Sequence, residues 1–455
     1  MIVAITGATG FVGTRLTAHL LAAGHEVVAL TRSPERAERV LPVRCRFVAW
    51  DPEHGHADPS ALAGVDAVVN LAGAGVADGR WTARRKDAIR RSRVDATRLL
   101  AEAMVALPAE RRPRVLVSAS AIGFYGDRGA ELLTEESAPG TGFLADVCRG
   151  WEDAARGAET HGIRTVRIRI GVVLGREGGA LARMLPPFRL GLGGRIGSGE
   201  QWMSWIHVDD LVALVAFALE RQDVRGVVNA VAPSPVTNAA FTATLGRVLG
   251  RPAIVAVPAA ALRLALGEMA GVLLEGQRVV PAAAEALGFR FGHPELGGAL
   301  VDVTADPATT LFNEQWVPRP PDEVFPFFAD AHNLERITPP FLKFRILGVS
   351  TPVLQNGTRI DYQLSLHGVP VRWQSLIRDW HPNRSFVDSQ TRGPYRRWDH
   401  THEFEPYRGG TILRDRVQYE LPLGALGGIV AGGFVTRDLD AIFAYRRSVI
   451  REIFT

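Results

Sequence analysis

Apolar and polar positions alternate in blocks along the first 170 residues. Six short runs are apolar at nearly every position, as in strands that are buried on both faces of a parallel sheet. These runs are Ile2–Thr6, Glu26–Leu30, Arg46–Ala49, Ala67–Leu71, Val115–Ser118 and Val166–Ile170. Segments with helical spacing, such as Val12–Ala23 and Ala83–Val105, lie between them. The alternation predicts an α/β unit with a doubly wound parallel sheet.

From about residue 175 the pattern changes twice. Up to residue 300 it loosens into glycine turns, prolines and Ala-rich helical stretches at 237–249 and 259–274, which predict a smaller cap lobe of the same unit. After residue 305, alternating runs at 358–366, 371–380, 400–405 and 411–421 predict an antiparallel sheet. Apolar residues at helical spacing from Phe434 to Ile453 predict one long closing helix. We therefore expect two domains, 1–303 and 304–455.

Composition narrows the class of protein. Hydrophobic residues make up 47% and charged residues 22%, which is an ordinary globular profile. The net charge of +4 comes without a basic arm, so no nucleic-acid partner is expected. The chain has only two cysteines, Cys45 and Cys148, which argues against a disulfide framework and for a reducing compartment, the cytoplasm. The apolar stretch Leu421–Val435 is broken by glycines and is shorter than the roughly 20 residues that span a bilayer, so stable membrane insertion is not expected.

A glycine-rich turn joins the first predicted strand to the first predicted helix. Glycines at such a junction allow a tight turn, close approach of the backbone to a pyrophosphate, and close packing of helix on strand. The N-terminus of the helix then offers free N–H groups to the anion. We expect a dinucleotide to be bound here by Gly7, Thr9, Gly10, Phe11, Val12 and Gly13.

The end of the second strand indicates which dinucleotide is bound. Thr31, Arg32 and Ser33 stand where a site for NAD(H) usually has an acidic residue for the ribose 2′-OH, and a guanidinium beside two hydroxyls suits a 2′-phosphate instead. The expected cofactor is therefore NADP(H), unless Arg32 is only a solvated loop residue. Asp51 is placed to meet the adenine, although an ordinary turn-forming role is equally open. The small residues after the fourth strand let the backbone approach the cofactor at Leu71, Ala72 and Gly73.

Several segments together resemble one family of enzymes. They are Thr6–Gly13, Thr31–Ser33, Asn70–Gly73, Gly79–Thr82, Ser92-Arg93, Ser118–Gly126, Gly171–Gly175, Ser204–Asp210 and Gly288–Phe291. As a set they are similar to atypical extended short-chain dehydrogenases/reductases, the "epimerase family" proteins, over residues 1–300. The resemblance implies a Rossmann fold with a small cap lobe, NADP(H) as cofactor, and an oxidoreductase or epimerase activity.

The second unit resembles a different superfamily, the SRPBCC proteins, which include START-like and polyketide-cyclase-like domains. The resemblance rests on Gly393-Pro394-Tyr395, Trp398, the two histidines and the closing helix. It implies an α+β helix-grip fold, in which a curved antiparallel sheet wraps around a long C-terminal helix and encloses an apolar ligand cavity. The candidate ligand-binding residues are Trp373, Tyr395, Trp398, His400 and His402, although aromatic residues at strand spacing are also often simply core. No third ligand stands at a recognisable spacing from the histidines, so no metal site is expected.

The first unit departs from its family at the catalytic pair. Typical members carry a Tyr for proton exchange, and a Lys four residues later that lowers the pKa of the Tyr and binds the nicotinamide ribose. Alignment on Trp151-Glu152 puts Leu144 and Cys148 at these positions. Ser120 and Tyr125 remain as candidate catalytic residues, although Tyr125 also fits a structural role in the wall of the site.

Two functions from different classes stay open. In the first, the protein is an NADP(H)-dependent oxidoreductase or epimerase of atypical mechanism, with a small apolar or carbonyl-containing ligand. In the second, it is a catalytically inactive NADP(H)-binding sensor, or a module that binds a small molecule or lipid. Arg80, Lys86 and Arg93 are candidates for positive charge near the phosphate or the nicotinamide, and a solvated basic face is the alternative. The sequence predicts no oligomeric state.

Overall fold

Seven parallel strands form the central sheet of the first of two units, Met1–Ala305 and Asp306–Thr455, in this computed structural model. The structure describes residues 1–54, 57–176, 178–305, 308–422 and 425–455, and for 425–433 it describes the backbone alone. The strands are β1 (Ile2–Thr6), β2 (Glu26–Thr31), β3 (Arg46–Ala49), β4 (Ala67–Asn70), β5 (Val115–Ala121), β6 (Arg164–Ile170) and β7 (Gly226–Ala230). Their order is β7-β6-β5-β4-β1-β2-β3, and all neighbours run parallel. The predicted doubly wound parallel sheet is confirmed.

The central strands of this sheet are buried on both faces. Val3 and Ile5 pack into the hydrophobic cluster on one face, while Ala4, between them, packs into the cluster on the other. Successive side chains of a strand point to opposite faces, so a strand covered on both sides must be apolar at nearly every position. This is why continuous apolar runs in the sequence marked these strands.

Helices cover both faces of the sheet. The longer ones are α1 (Phe11–Ala22), α2 (Ala83–Arg91), α3 (Val94–Ala106), α4 (Phe143–Arg156), α5 (Gly179–Arg189), α6 (Val208–Glu220), α7 (Asn238–Val248), α8 (Ala259–Leu266) and α9 (Leu296–Thr304). The single helix predicted over Ala83–Val105 is therefore two helices. The Ser92 hydroxyl donates to the carbonyl of Ile89 at 3.1 Å and accepts from the N–H of Ala74 at 3.0 Å. Because these bonds turn the chain against the loop after β4, the helix is interrupted between α2 and α3.

The cap lobe of the first unit is built from short pieces. Two-stranded pairs join Val172–Leu174 with Trp205–His207, Trp202–Met203 with Val236–Thr237, and Leu132–Leu133 with Arg278–Val279. Short helices span Gly271–Leu274 and Ala282–Ala286. An apolar cluster of the lobe contains Trp205 and Phe241, both fully buried. The pair at Leu132 and Arg278 holds the lobe against the loop that follows β5.

Seven antiparallel strands form the sheet of the second unit. They are β8 (Thr309–Val317), β9 (Arg345–Val349), β10 (Arg359–Leu366), β11 (Val369–His381), β12 (Ser385–Arg392), β13 (Arg397–Tyr407) and β14 (Gly410–Glu420). Their order is β8-β14-β13-β12-β11-β10-β9. A short helix, α10 (Pro321–Phe328), and a long one, α11 (Ala425–Phe454), complete the unit. The α+β class predicted for this half of the chain is confirmed.

The long helix packs along the sheet with the apolar face that the sequence pattern predicted. Leu439, Phe443, Ile450 and Phe454 are buried in clusters that they share with sheet residues. The helix begins at Ala425, earlier than the predicted start at Phe434. Within the apolar stretch Leu421–Val435, residues 423 and 424 and the side chains of 425–433 lie outside the described residues. Over the described ranges, no helix combines the length and the apolar character needed to cross a membrane.

Candidate functional site

A cleft of about 330 Å³ opens at the carboxyl ends of β1, β2 and β4. The strand order reverses here, because β1 is paired with β2 on one side and with β4 on the other. Connections leave the two sides of such a switch point toward opposite faces of the sheet, which leaves a crevice between them. Ligands of doubly wound sheets bind in crevices of this kind.

The glycine-rich loop forms the floor of this cleft. Gly7 has a φ of +71°, which favours glycine, and a Cβ there would lie 2.9 Å from the carbonyl carbon of Leu71. A Cβ on Gly13 would lie 2.2 Å from the carbonyl oxygen of Gly7. Both contacts are with backbone atoms, so neither glycine can be replaced without moving the loop. α1 begins directly after Gly10, and its first N–H groups face the turn.

Asn70 holds three strand ends together beneath the cleft. Its Oδ1 accepts from the Thr6 hydroxyl at 2.7 Å, and its Nδ2 donates to Thr97 at 2.8 Å and to Ser118 at 3.2 Å. The Thr6 hydroxyl also accepts from the N–H of Ala72 at 3.3 Å. All these side chains are buried, so the network fixes the ends of β1, β4 and β5 relative to α3.

Nine of the thirteen residues predicted to bind the cofactor line the cleft. They are Gly7, Thr9, Gly10, Thr31, Arg32, Asp51, Leu71, Ala72 and Gly73. Of the other four, Phe11 packs its ring against Gly175 and Gly178, Val12 packs into the apolar core, Gly13 packs against the loop, and Ser33 lies outside the lining. Their cofactor-binding roles stay predictions, as do those of the nine.

Residues that the sequence analysis missed also line the cleft, among them Trp50, Glu53, Asn70 and Ser92. The signal for Trp50 and Asn70 was available, because each stands at or just after the carboxyl end of a strand. Ser92 reaches the cleft only because the helix predicted over Ala83–Val105 is broken there.

Two groups at the rim of the cleft, the Arg32 guanidinium and one carboxylate oxygen of Asp51, have no partner in the described part of the chain. Arg32 is exposed, and its guanidinium pairs with none of the described residues. The neighbouring hydroxyls are bonded within their own turn, since Ser33 N–H donates to Thr31 Oγ1 at 3.3 Å. Asp51 binds His54 Nδ1 through one carboxylate oxygen at 2.9 Å, while its other oxygen is buried without a hydrogen-bond partner.

A larger cavity of about 930 Å³ lies beyond the carboxyl ends of β5 and β6. The sheet side contributes Gly123 and residues 170–172, α4 contributes Phe143 and Leu144, and the lobe contributes residues from Arg263 to Gln277. The carboxyl edge of the sheet therefore carries two concave sites, the cleft at β1, β2 and β4 and the cavity at β5 and β6.

The two candidate catalytic hydroxyls lie in a buried network beside this cavity. Ser120 donates to Glu152 at 2.8 Å, and Glu152 accepts two hydrogen bonds from Arg169 at 2.7 and 2.9 Å. Arg169 also donates to the Tyr125 oxygen at 2.8 Å, and Tyr125 donates to Asn229 at 2.7 Å. Ser120 is 2% and Tyr125 0% exposed.

Burial raises the pKa of Tyr125, despite the neighbouring Arg169. Every hydrogen-bond partner of the Tyr125 hydroxyl lies inside this network, and the side chain has no exposed surface. The catalytic roles of Ser120 and Tyr125, and the alternative structural role of Tyr125, stay predictions.

Leu144 and Cys148, which the sequence analysis aligned with the family's Tyr and Lys, present apolar groups. Leu144 lines the large cavity. Cys148 is buried behind Gly123, whose Cβ would lie 3.9 Å from its Sγ. Burial raises the pKa of the Cys148 thiol to about 12, so the thiol stays protonated at neutral pH. Neither residue supplies an acid or a base to the cavity.

Glu275 is an ionisable residue of the cavity lining whose carboxylate is unpaired among the described residues. It lies on the lobe, and no described residue pairs with its carboxylate or donates a hydrogen bond to it. Partial burial, and after it the charge of Asp127, raises the pKa of Glu275. Glu268, another carboxylate on the wall, is paired with Lys86. Sequence analysis did not identify Glu275, because the lobe segment carries no motif that the resemblance assigned to chemistry.

Two of the three candidate cations are engaged with the lobe. Lys86 pairs with Glu268 and lies 5.2 Å from the centre of the Phe143 ring. Arg80 donates to the carbonyl of Leu264 at 3.1 Å. Arg93 alone of the three is turned toward the region between the cleft and the cavity, where its guanidinium lies against Gly73.

The second unit encloses a hydrogen-bonded cluster centred on Asp415. Its Oδ1 contacts His400 Nε2 at 2.9 Å, His402 Nδ1 at 3.0 Å and Arg446 Nη2 at 3.3 Å. Arg446, His400 and His402 hold the pKa of Asp415 well below its usual range despite burial. Burial lowers the pKa of His402 from 6.5 to about 3, so the stability that its neutral form provides is complete above pH 6.5 and is lost as the pH falls from there toward 3.

The three aromatic candidates of the second unit contact one another. The Trp373 ring centre lies 5.3 Å from that of Trp398 and 5.6 Å from that of Tyr395. Three buried polar atoms in this interior have no partner among the described residues: Trp373 Nε1, Asp388 Oδ1 and Arg446 Nε. A cavity of about 610 Å³ in this unit has its lining elsewhere, at residues 330–335 and 346–354. The ligand-binding roles of Trp373, Tyr395, Trp398, His400 and His402 stay predictions.

Two groups of described residues have three ligand atoms close enough to hold a metal ion, His400–His402–Asp415 and His207–His293–Asp302. In the first, the Arg446 guanidinium already occupies the position of a cation beside Asp415 and His402. In the second, His207 Nδ1 accepts from the N–H of Asp209 at 3.2 Å, so the ring proton of the neutral form is on Nε2, which faces Asp302 at 3.2 Å. His207 Nε2 and His293 Nδ1 are buried without a hydrogen-bond partner among the described residues. The expectation that the chain holds no metal stays a prediction.

Family models match three segments of the chain. Residues 3–230 match the "NAD dependent epimerase/dehydratase family", residues 257–303 match a domain of unknown function, DUF1731, and residues 317–443 match "Polyketide cyclase / dehydrase and lipid transport". The second match covers the lobe segment that carries Glu275.

Relatives and solved structures resemble the larger part of the chain. An epimerase family protein of Mycobacterium bovis is 44% identical over 307 residues, which are 67% of this chain and 98% of that protein. The crystal structure of human epimerase family protein SDR39U1 with NADPH superposes with a TM-score of 0.61 at 39% identity, covering 67% of this chain and all of that one. A nucleoside-diphosphate sugar epimerase from Corynebacterium glutamicum gives a TM-score of 0.53 at 39% identity, covering 67% of this chain and 58% of that one.

The buried Glu152–Arg169 pair makes a prediction about stability. Replacing Arg169→Met should lower the free energy of unfolding of the first unit by about 3–5 kcal/mol, because it leaves the Glu152 carboxylate buried without its countercharge. The double change Arg169→Met with Glu152→Gln should recover part of this loss. Denaturant unfolding followed by circular dichroism measures both, and equal losses in the single and double variants would contradict the prediction.

The Asp415 cluster leads to a second prediction about stability, and a substitution at the surface residue Asp438 serves as its control. Asp415→Asn should destabilise the second unit by about 3–5 kcal/mol, since it leaves Arg446 buried without a counterion. Asp438→Asn removes the partner of exposed His367 and should change stability by less than about 1 kcal/mol. Thermal unfolding of the full-length protein compares the two, and a loss of similar size in both variants would show that the cluster is energetically ordinary.

Proposed function

The chain belongs to the epimerase family, within the NAD dependent epimerase/dehydratase proteins, and we propose that it binds NADPH in the cleft and reduces a carbonyl compound held in the adjoining cavity. One observation carries the proposal. The 330 Å³ cleft and the 930 Å³ cavity lie side by side along the carboxyl edge of the same parallel sheet. A dinucleotide laid across that edge reaches from one to the other.

The residues of the cleft fit NADPH. The unpaired Arg32 guanidinium suits the 2′-phosphate, and the unpartnered buried oxygen of Asp51 suits the amino group of the adenine. The turn at Gly7 and the N-terminus of α1 suit the pyrophosphate. The crystal structure of the human relative, 39% identical, is of a protein with NADPH, which supports the same cofactor here.

Bound NADPH would supply a hydride to the carbonyl carbon of the ligand. The carbonyl oxygen then needs a proton, and the Ser120 and Tyr125 hydroxyls are enclosed in their network. We assign the proton donor to Glu275, because it lines the cavity, has no described partner, and has a raised pKa. A raised pKa keeps more of a carboxyl group protonated at a given pH, so a rate that needs this proton falls as the pH rises through that pKa.

The second unit supports a binding role for a small apolar or carbonyl-containing ligand. Its family model covers residues 317–443 and includes lipid transport in its description. Its interior is largely aromatic, and the unpartnered atoms of Trp373, Asp388 and Arg446 are hydrogen-bonding groups that a polar atom of a ligand would satisfy. We propose no nucleic-acid partner for either unit.

A second function, an NADPH-binding sensor without turnover, has its own support. Leu144 and Cys148 replace the usual pair, and the two remaining candidate hydroxyls are bonded inside the protein. In this alternative the second unit carries the function, by binding a small molecule or lipid. We propose the cytoplasm as the location of either function, because the chain has only two cysteines, Cys45 and Cys148, and both are buried.

The cofactor assignment predicts a selective effect at Arg32. Arg32→Ala should raise the Kd for NADPH by about 10–100-fold and leave the Kd for NADH within about twofold, because the lost charged contact is to the 2′-phosphate. Arg36→Ala, which removes an exposed arginine outside the cleft, is the control. Fluorescence titration of the full-length protein measures both constants, and equal losses for the two dinucleotides would refute the assignment.

The reductase function predicts NADPH oxidation that depends on Glu275. With a panel of ketones, aldehydes and quinones, absorbance at the nicotinamide band should fall for at least one compound. Glu275→Gln should then lower kcat by at least about a hundredfold with the Kd for NADPH unchanged, since a general acid contributes about that much.

Glu285→Gln, an exposed carboxylate of the lobe away from the cavity, controls for the loss of charge. Tight NADPH binding without turnover on any member of the panel would favour the sensor. Turnover that is unaffected by Glu275→Gln would keep the reductase and remove Glu275 from its mechanism.

A further inference from the structure

Arg93 lies at the break between α2 and α3, with its side chain partly buried. Its Nη1 donates to the carbonyls of Ala74 at 2.9 Å and Ile89 at 3.3 Å. Its Cζ lies 5.2 Å from the centre of the Trp151 ring. Burial lowers the pKa of Arg93, which shows that the site stabilises the charge poorly.

The guanidinium lies between the cleft and the large cavity. A Cβ on Gly73, which lines the cleft, would be 3.1 Å from Arg93 Cζ. On the other side, the charge of Arg93 acts on the thiol of Cys148, which lies behind Gly123 of the cavity wall. Arg93 is in the lining of neither space, but its guanidinium lies directly behind Gly73 of the cleft.

Three of the five N–H groups of this guanidinium are unused. Nη1 is bonded to the two carbonyls, while Nε and Nη2 donate to none of the described residues, and no described carboxylate pairs with Arg93. The nearby Arg85 is engaged, since it donates to the carbonyl of Gly75 and pairs with Asp78. A partly buried cation without a counterion, next to a glycine that lines the cleft, suits an anionic ligand.

We propose that Arg93 binds the nicotinamide-side phosphate and ribose of NADPH. This rests on the proposed function, because it assumes that the dinucleotide occupies the cleft. Arg32 and Asp51 meet the adenosine half, the glycine loop meets the middle, and Arg93 meets the half that enters the cavity. Arg93 thereby supplies positive charge at the end of the cofactor where Cys148 supplies none.

Three ligands that share the adenosine half test this assignment by binding alone. Adenosine 2′,5′-bisphosphate lacks the nicotinamide-side phosphate and ribose, 2′-phospho-ADP-ribose contains both, and NADPH adds the nicotinamide. In the full-length protein, Arg93→Met should raise the Kd for NADPH and for 2′-phospho-ADP-ribose by at least about tenfold and that for the bisphosphate by less than about twofold. Arg93→Lys should recover part of the loss, since it restores the charge without the fork of donors.

Arg85→Met is the matched control, because Arg85 also anchors the loop after β4 through a carbonyl. It should leave all three constants within about twofold. If Arg93→Met weakens the bisphosphate as much as NADPH, the residue acts only by holding the loop, and the proposal is overturned. Unchanged NADPH binding overturns it too. A wild-type protein that binds none of the three ligands overturns the proposed function itself, and this outcome is distinct from a failure of Arg93 alone.

Discussion

The buried ion pair between Glu152 and Arg169 fixes the half of the first unit where chemistry is expected. It joins α4 to β6, and through Ser120, Tyr125 and Asn229 it reaches β5 and β7. Removing two charges from water is costly, so a pair of this kind persists only when its remaining lone pairs and protons are also bonded. Here the hydroxyls of Ser120 and Tyr125 complete that bonding. The pair contributes a defined geometry more than it contributes net stability.

That constraint bears on where the proposed acid–base group of the cavity can lie. The hydroxyls on the sheet side are held by Glu152 and Arg169, and α4 presents Leu144. The remaining wall belongs to the lobe, where Glu275 is free of described partners. The lobe is also where the family model changes to a domain of unknown function. In the proposed reductase, the strand ends and the glycine loop would hold the cofactor, and the lobe would supply the ionisable group.

The sequence predicted the parts of the fold that depend on simple periodicity. β1, β4 and the alternation of strand and helix followed from runs that must be apolar on both faces. The glycine loop was predictable because Gly7 and Gly13 are required by backbone contacts that no other residue allows. The break of the helix at Ser92 was not predictable, because it depends on a hydrogen bond that the N–H of Ala74, in a distant loop, donates to the Ser92 hydroxyl. The enclosure of Ser120 was not predictable either, because it requires Arg169 to reach across from β6, and Arg169 stands in the sequence as one charged residue in an apolar strand.

The two units bury charge in different ways, and the difference bears on which of them is open to a ligand. Around Arg169, the Glu152 carboxylate, the Ser120 and Tyr125 hydroxyls and the Asn229 amide are joined in one chain of hydrogen bonds, so each has a partner within the protein. Around Asp415 the bonding is uneven: one carboxylate oxygen accepts from three groups, while Arg446 Nε and Asp388 Oδ1 are left without described partners. Unpartnered buried groups cost free energy, and burial raises the pKa of Asp388 for the same reason. On this argument the polar cluster of the second unit has buried groups that can form further hydrogen bonds, whereas the polar cluster of the first unit is bonded within itself.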